Sequence, residues 1–158
     1  MTIVLYPGSF DPITYGHLDV IRRASRLFEH VHIGVIHNPS KSSTFSLDER
    51  LHMIRAVIAD SIDNVTVHAY TGLLVDFAHA IGVSAIVRGL RAISDFEFEF
   101  QLSLTNRQLS PQLETILLMT DSKYSYISST AIKQIAMYGG DVSSFVPPLV
   151  EQQLKERL

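Results

Sequence analysis

Ser9, His17, Lys41, Arg88, Arg91 and the hydroxyl run Ser128-Ser129-Thr130 are the side chains whose types and places suit the handling of phosphate. The first group lies in Pro7-Gly8-Ser9-Phe10-Asp11-Pro12, followed by Thr14-Tyr15-Gly16-His17. Gly8 and Gly16 let the backbone approach a ligand closely. A helix is expected to begin near Gly16, so its free N–H groups and positive dipole end face the loop mouth and form an anion site. His17, in the first turn, can aim a ring N–H at a phosphate oxygen, and Ser9 adds a hydroxyl. The loop is neither a P-loop nor the Gly-x-Gly-x-x-Gly dinucleotide fingerprint. On spacing alone an alternative stands beside this one: His17 is a polar helix-start residue and Ser9 a turn residue.

The remaining candidates follow later apolar runs. Lys41 sits in Asn38-Pro39-Ser40-Lys41-Ser42-Ser43, where a lysine is ordinarily solvated. In Arg88-Gly89-Leu90-Arg91 two guanidinium forks flank a glycine, a pattern that suits phosphate oxygens. Ser125-Tyr126-Ile127-Ser128-Ser129-Thr130 opens a helix. One hydroxyl there is needed as a cap, which leaves others for a ligand. His30 and His32 share one side of a strand but lack a third ligand, so no metal site is expected. Asp95, Glu97 and Glu99 begin a helix, where the dipole alone favours acids. Phe96, Phe98 and Phe100 alternate with them and read as core or interface. No nucleophile–base arrangement is visible.

These groups need a scaffold that brings separate loops together. Strands are expected at Ile3–Tyr6, Val31–Ile36, Val65–Ala69, Ala85–Val87 and Thr115–Met119. Helical spacing runs from Leu18 to Phe28, from a Ser46/Glu49 capping box to about Ala59, near Leu73–Ile81 with Thr71 as a candidate cap, over Ser94–Leu109, and over Ser128–Tyr138. Pro147 or Pro148 opens a last helix. The rhythm predicts an α/β fold, a five-stranded parallel sheet flanked by helices, with ligands beyond the carboxyl ends of the strands. The chain of 158 residues fits one domain, 1–158. It is 46% hydrophobic and 18% charged, which argues against disorder, and it has no cysteine, which excludes disulfides and thiolate chemistry. Its net charge of −3 argues against a nucleic-acid binder. No secretory signal or membrane-length apolar run is read, and a cytoplasmic home is the expectation.

The motifs together resemble the bacterial phosphopantetheine adenylyltransferase family of the nucleotidylyltransferase superfamily. The superfamily marks are Gly8-Ser9-Phe10-Asp11-Pro12 with Thr14-Tyr15-Gly16-His17, and Ile127-Ser128-Ser129-Thr130. The narrower marks are Pro39-Ser40-Lys41, Arg88-Gly89-Leu90-Arg91 with Asp95-Phe96-Glu97, and Asn106-Arg107. The likeness spans nearly the whole chain. Thr14 and Thr130 are the two variable motif positions, and both are normal for the family.

The resemblance implies a Rossmann-like dinucleotide-binding fold and one reaction: ATP plus 4′-phosphopantetheine gives dephospho-coenzyme A and pyrophosphate. It also implies Mg²⁺, a homohexamer and coenzyme A as a feedback ligand. By the same resemblance, His17 stabilises the transition state and Lys41 assists it. Ser9, Lys41, Leu74, Arg88 and Asn106 bind the acceptor. Ser9, Phe10, His17, Gly89, Leu90, Arg91, Glu99 and Tyr124, Ser125, Tyr126, Ile127, Ser128, Ser129 and Thr130 bind ATP. The metal bridges phosphates and needs few or no protein carboxylates. Rival readings are a transferase for nicotinate mononucleotide or glycerol phosphate, and a non-catalytic nucleotide-binding regulator.

Overall fold

A computed structural model describes residues 2–158. Five strands, β1 (Ile3–Gly8), β2 (His30–Ile36), β3 (Val65–Tyr70), β4 (Ala85–Leu90) and β5 (Glu114–Met119), form one parallel sheet in the order β3-β2-β1-β4-β5. Six helices connect or follow them: α1 (Tyr15–Leu27), α2 (Leu47–Ile58), α3 (Leu74–Ala80), α4 (Ile93–Leu109), α5 (Ser129–Met137) and α6 (Pro148–Arg157). The expected α/β architecture is present.

Both faces of the sheet are covered, as parallel strands require. On one face Val4, Val31, Ile33, Val35, Ala85 and Val87 pack with Leu18, Ile21 and Ala24 of α1 and Met53 and Ile54 of α2. On the other, Leu5 and Ile86 pack with Val75 and Ala78 of α3 and with Val83 and Leu113. The capping box is formed: Glu49 N–H donates to Ser46 Oγ, and Ser46 N–H to Glu49. Thr71 does not cap α3. The N-cap is Leu73, without a side-chain bond, one residue beyond the φ +83° turn at Gly72.

Strand order reverses between β1 and β4, and that switch point is where such sheets open a crevice. Here the opening is cut by the backbone. β1 and β4 pair only at Val4↔Ala85 and Leu5↔Ile86. Pro7 has no N–H to continue a ladder, and its carbonyl accepts from Arg88 Nη1 instead (2.8 Å). Pro7 and Gly8 stay paired to β2, and Arg88 to Leu90 stay paired to β5, so both strands outrun their sequence-expected ends.

The exposed phenylalanines of α4 rule out a purely core role. Phe96, Phe98 and Phe100 are 46%, 61% and 51% exposed. Phe96 and Phe100 share one side of α4 with the exposed Ile93 and Leu104 as an apolar stripe, whereas Phe98 lies on the other side and borders the crevice at the switch point.

Candidate active site at the strand-order switch

A cavity of about 460 Å³ opens at the diverging ends of β1 and β4. Ser9, Phe10, His17, Arg88, Gly89, Arg91, Glu99, Ile127, Ser129 and Thr130, all expected at the site, line it. Three sequence-distant loops therefore converge on one space.

Thr14 caps α1, and its hydroxyl accepts from the His17 N–H (3.3 Å). The reciprocal half of this capping box uses an imidazole: Thr14 N–H donates to His17 Nδ1 (3.0 Å). Nδ1 is thus an acceptor, which places the ring proton on Nε2. Nε2 bonds to no described residue, and the half-buried ring lines the cavity. Burial pushes the His17 pKa down to about 4, with the Arg88 and then the Arg91 charges adding to the shift. The ring is therefore a neutral N–H donor at physiological pH. Phe10 supports it from behind, with ring centroids 4.9 Å apart. Phe10 holds φ at +48°, a conformation costly for a large side chain, and its ring stands about 3.0 Å from where a Cβ at position 8 would lie, so any side chain there would press on it.

Each cation on the cavity wall has its own carboxylate. Arg88 forms a fork with Glu99 through Nε (2.9 Å) and Nη2 (2.8 Å). Burial opposes its charge, but the Glu99 hydrogen bond and charge outweigh burial and raise the Arg88 pKa. Arg91 pairs with Asp95 (2.9 Å), and its Nη1 donates to Ile127 O (2.8 Å), tying the β4 end to the start of α5. In Asp95 burial works against the charge, yet the Arg91 bond and charge win and lower its pKa. Lys133 pairs with Asp11 (3.1 Å).

The hydroxyl run divides its labour. Ser128 is spent on the cap, accepting from Ala131 N–H (3.1 Å). Ser129 donates to Pro12 O (2.8 Å) and still faces the cavity, and Thr130 is left for a ligand.

Other expected residues lie apart from the main cavity. Lys41 is exposed on the loop after β2 and does not line it. Leu90, Tyr124, Ser125 and Tyr126 do not line it either. Leu74 and Asn106 line a narrow adjoining cleft with Leu102 and Ser103, and Arg88 and Glu99 form the wall common to both spaces.

Sequence reasoning missed Lys133, Thr120 and Arg50. Lys133 stands four residues after Ser129, on the same face of α5, so helical spacing could have found it. Arg50 is buried beneath the first loop, and its Nη1 donates to Ser9 O (2.8 Å) and Ile36 O (3.1 Å). The missing third imidazole near His30 and His32 is His68, 2.8 Å from His32, but these rings bond to one another. Among the described residues no three His, Cys, Asp or Glu groups are placed to hold a metal. The site carboxylates are already engaged by cations and N–H groups. These residues offer no free carboxylate set that would hold a metal directly.

Comparison with known proteins gives the family. Residues 5–135 match the cytidylyltransferase-like family. A phosphopantetheine adenylyltransferase of Desulforudis audaxviator is 51% identical over 157 residues, covering 99% of this chain and 96% of its own. Its counterpart in Caldanaerobacter subterraneus subsp. tengcongensis is 48% identical, with 99% and 98% covered. Among solved structures, a putative nicotinate-nucleotide adenylyltransferase from Vibrio parahaemolyticus superposes with a TM-score of 0.69 at 21% identity, covering 98% of this chain and 99% of its own. A bifunctional NMN adenylyltransferase/ADP ribose pyrophosphatase from Francisella tularensis gives 0.76 at 18%, covering 98% of this chain and 49% of its own; at such identities the likeness is one of fold. From residues, crevice and relatives together, the chain belongs to the cytidylyltransferase-like family and, within it, to the phosphopantetheine adenylyltransferases.

Proposed function

We propose that this chain transfers the adenylyl group of ATP to 4′-phosphopantetheine, giving dephospho-coenzyme A and pyrophosphate. The observation that carries the chemistry is His17: a neutral imidazole with Nδ1 held by backbone and Nε2–H left free at a wall of paired cations. The acceptor brings its own nucleophile. A phosphate oxygen attacks the α-phosphorus in line, a new P–O bond forms, the α–β bridge breaks, and pyrophosphate leaves with the electron pair. No protein base is needed. Catalysis rests on positioning and on donors aimed at developing charge.

In this reading His17 Nε2–H donates to an α-phosphoryl oxygen. Arg91, Gly89, Thr130 and the N-terminal N–H groups of α5 hold the ATP phosphates. Arg88, Ser9 and Lys41 hold the acceptor phosphate, and the cleft at Leu74 and Asn106 takes the pantetheine arm. When bound, Mg²⁺ supplies charge neutralisation on the phosphates, consistent with carboxylates that are all engaged. Coenzyme A carries both the adenylyl and pantetheine parts, so the same crevice suits it as a feedback ligand. A homohexamer would bury the apolar surface of α4, and light scattering of the purified chain tests that assembly. A cytoplasmic location goes with this reading. No described helix is long and apolar enough to cross a membrane.

The deciding assay is pyrophosphate release with ATP, Mg²⁺ and 4′-phosphopantetheine. Release with nicotinate mononucleotide and not with 4′-phosphopantetheine would move the chain to the rival acceptor. ATP binding without release from any acceptor would leave a nucleotide-binding regulator.

A further inference from the structure

Asp11 sits in the first loop, is 8% exposed, and does something the reaction above does not call for. Its Oδ2 accepts from the Thr44 N–H (2.9 Å) and its Oδ1 from the Phe45 N–H (2.9 Å). The two oxygens thus grip two successive amides of the segment that carries Lys41. Lys133 holds the same carboxylate through Oδ2 (3.1 Å). Carboxylate bonds of this kind are charge-assisted and stronger than neutral ones.

The segment after β2 is otherwise held mainly by itself. Asn38 Oδ1 accepts from Ser40 N–H (3.0 Å) and Ser40 Oγ (2.6 Å), and Asn38 O accepts from Lys41 N–H (3.1 Å). These bonds shape a local turn but do not place it against the crevice. Placement comes from Asp11 on one side, from Arg157 of α6, whose Nη1 donates to Thr44 O (3.1 Å), from Arg50 bridging Ser9 O and Ile36 O beneath, and from the fully buried Phe45 as an anchor. Asp11 is the one of these that also lines the cavity and is ion-paired there with Lys133.

We infer that Asp11 is a positioning residue: its carboxylate clamps the Thr44–Phe45 backbone and so sets where Lys41 meets the acceptor phosphate. Asp11 itself touches no reacting atom. The inference rests on the reading of Lys41 as an acceptor-phosphate ligand, and the test separates the two.

Asp11→Asn keeps size and shape but removes the charge and turns an amide NH₂ toward one of the two N–H donors. The acceptor KM should rise roughly tenfold, on the scale of one lost charge-assisted bond, while the ATP KM changes little. In a Lys41→Ala background, Asp11→Asn should add almost nothing to the acceptor KM, because both changes remove the same contact. If Lys41→Ala alone leaves the acceptor KM unchanged, the reading of Lys41 fails. If Lys41→Ala raises it and Asp11→Asn does not, the inference about Asp11 fails. Equal loss of ATP and acceptor affinity, additive with Lys41→Ala, would mean a general structural role and would also overturn it. Should Asp11→Asn not fold, amide hydrogen exchange on the unaltered protein decides. Thr44 and Phe45 should be protected well above Ser42 and Ser43, and exchange at the same rate as those neighbours would remove the clamp.

Discussion

The two walls of the crevice hold their donors in opposite ways. On the β1–α1 wall, His17 is fixed by a backbone N–H and is neutral. On the β4–α4 wall, Arg88 and Arg91 are fixed by the carboxylates of Glu99 and Asp95 and are charged. A neutral donor gains most when negative charge concentrates on one oxygen, which happens as the α-phosphorus reacts. Charged forks attract any phosphate, before or after reaction. Their carboxylate partners offset part of that charge, so on the proposed reaction they would ease pyrophosphate's departure. Under the proposed reaction the contrast amounts to a division of labour: one wall would discriminate the transition state, the other would gather and orient anions.

The strongest way to break this contrast is His17→Ala. Turnover should fall about 10²–10³-fold with much smaller changes in both KM values. A fall confined to KM would make His17 a binding group like the arginines. Glu99→Gln should come next. It leaves Arg88 buried beside a neutral partner, lowering stability by about 1–3 kcal/mol in a denaturant titration and raising the acceptor KM. A variant of unchanged stability would show that the fork is not what fixes Arg88. Arg91→Ala should weaken ATP binding about tenfold by calorimetry with turnover at saturation little changed. Unchanged affinity would take Arg91 out of the nucleotide side. Ser128→Ala should cost about 1 kcal/mol of stability, the loss of a helix cap, with little effect on ATP affinity. A large loss of ATP affinity would give that hydroxyl back to the ligand.

The smallest expected effect is none at all. His17 has a folded pKa of about 4, below the usual value of an unfolded histidine. Its ring should keep the Nε2–H tautomer in nitrogen NMR from neutral pH down to about pH 5. The sign for stability follows: the unfolded chain binds the proton first, so this contribution is complete above about pH 6.5 and is lost as pH falls toward about 4. A ring titrating near pH 6.5 in the folded protein would dissolve the contrast between the walls.

Much of this was legible in the sequence because it is local. Ser46 to Glu49 is one helical turn, so spacing alone told where that helix starts; at α1 the sequence placed the start near Gly16, and the Thr14–His17 box, with an imidazole in the acid's place, came from the structure. Arg88 and Arg91 were legible as a pair because they share one strand end. Their carboxylates were harder. Glu99 looked like an ordinary acid near a helix start, while its partner lies 11 residues back on a strand. Asp11 meets Thr44 and Phe45 across 33 and 34 residues, and no local pattern records such a contact. His68 reaches His32 only through the β2–β3 register, which periodicity does not contain. Pro7-Gly8 and Arg88 to Leu90 were read past the strand ends because proline and glycine usually break strands. They remain strand by pairing on their outer sides alone.

That one-sided pairing has an evolutionary consequence. The width of the opening between β1 and β4 is set by main-chain divergence after just two matched positions, before any lining side chain is chosen. Lining residues can then be exchanged to suit a new acceptor without redesigning the sheet, so a scaffold of this kind can diversify its chemistry by point changes at its rim.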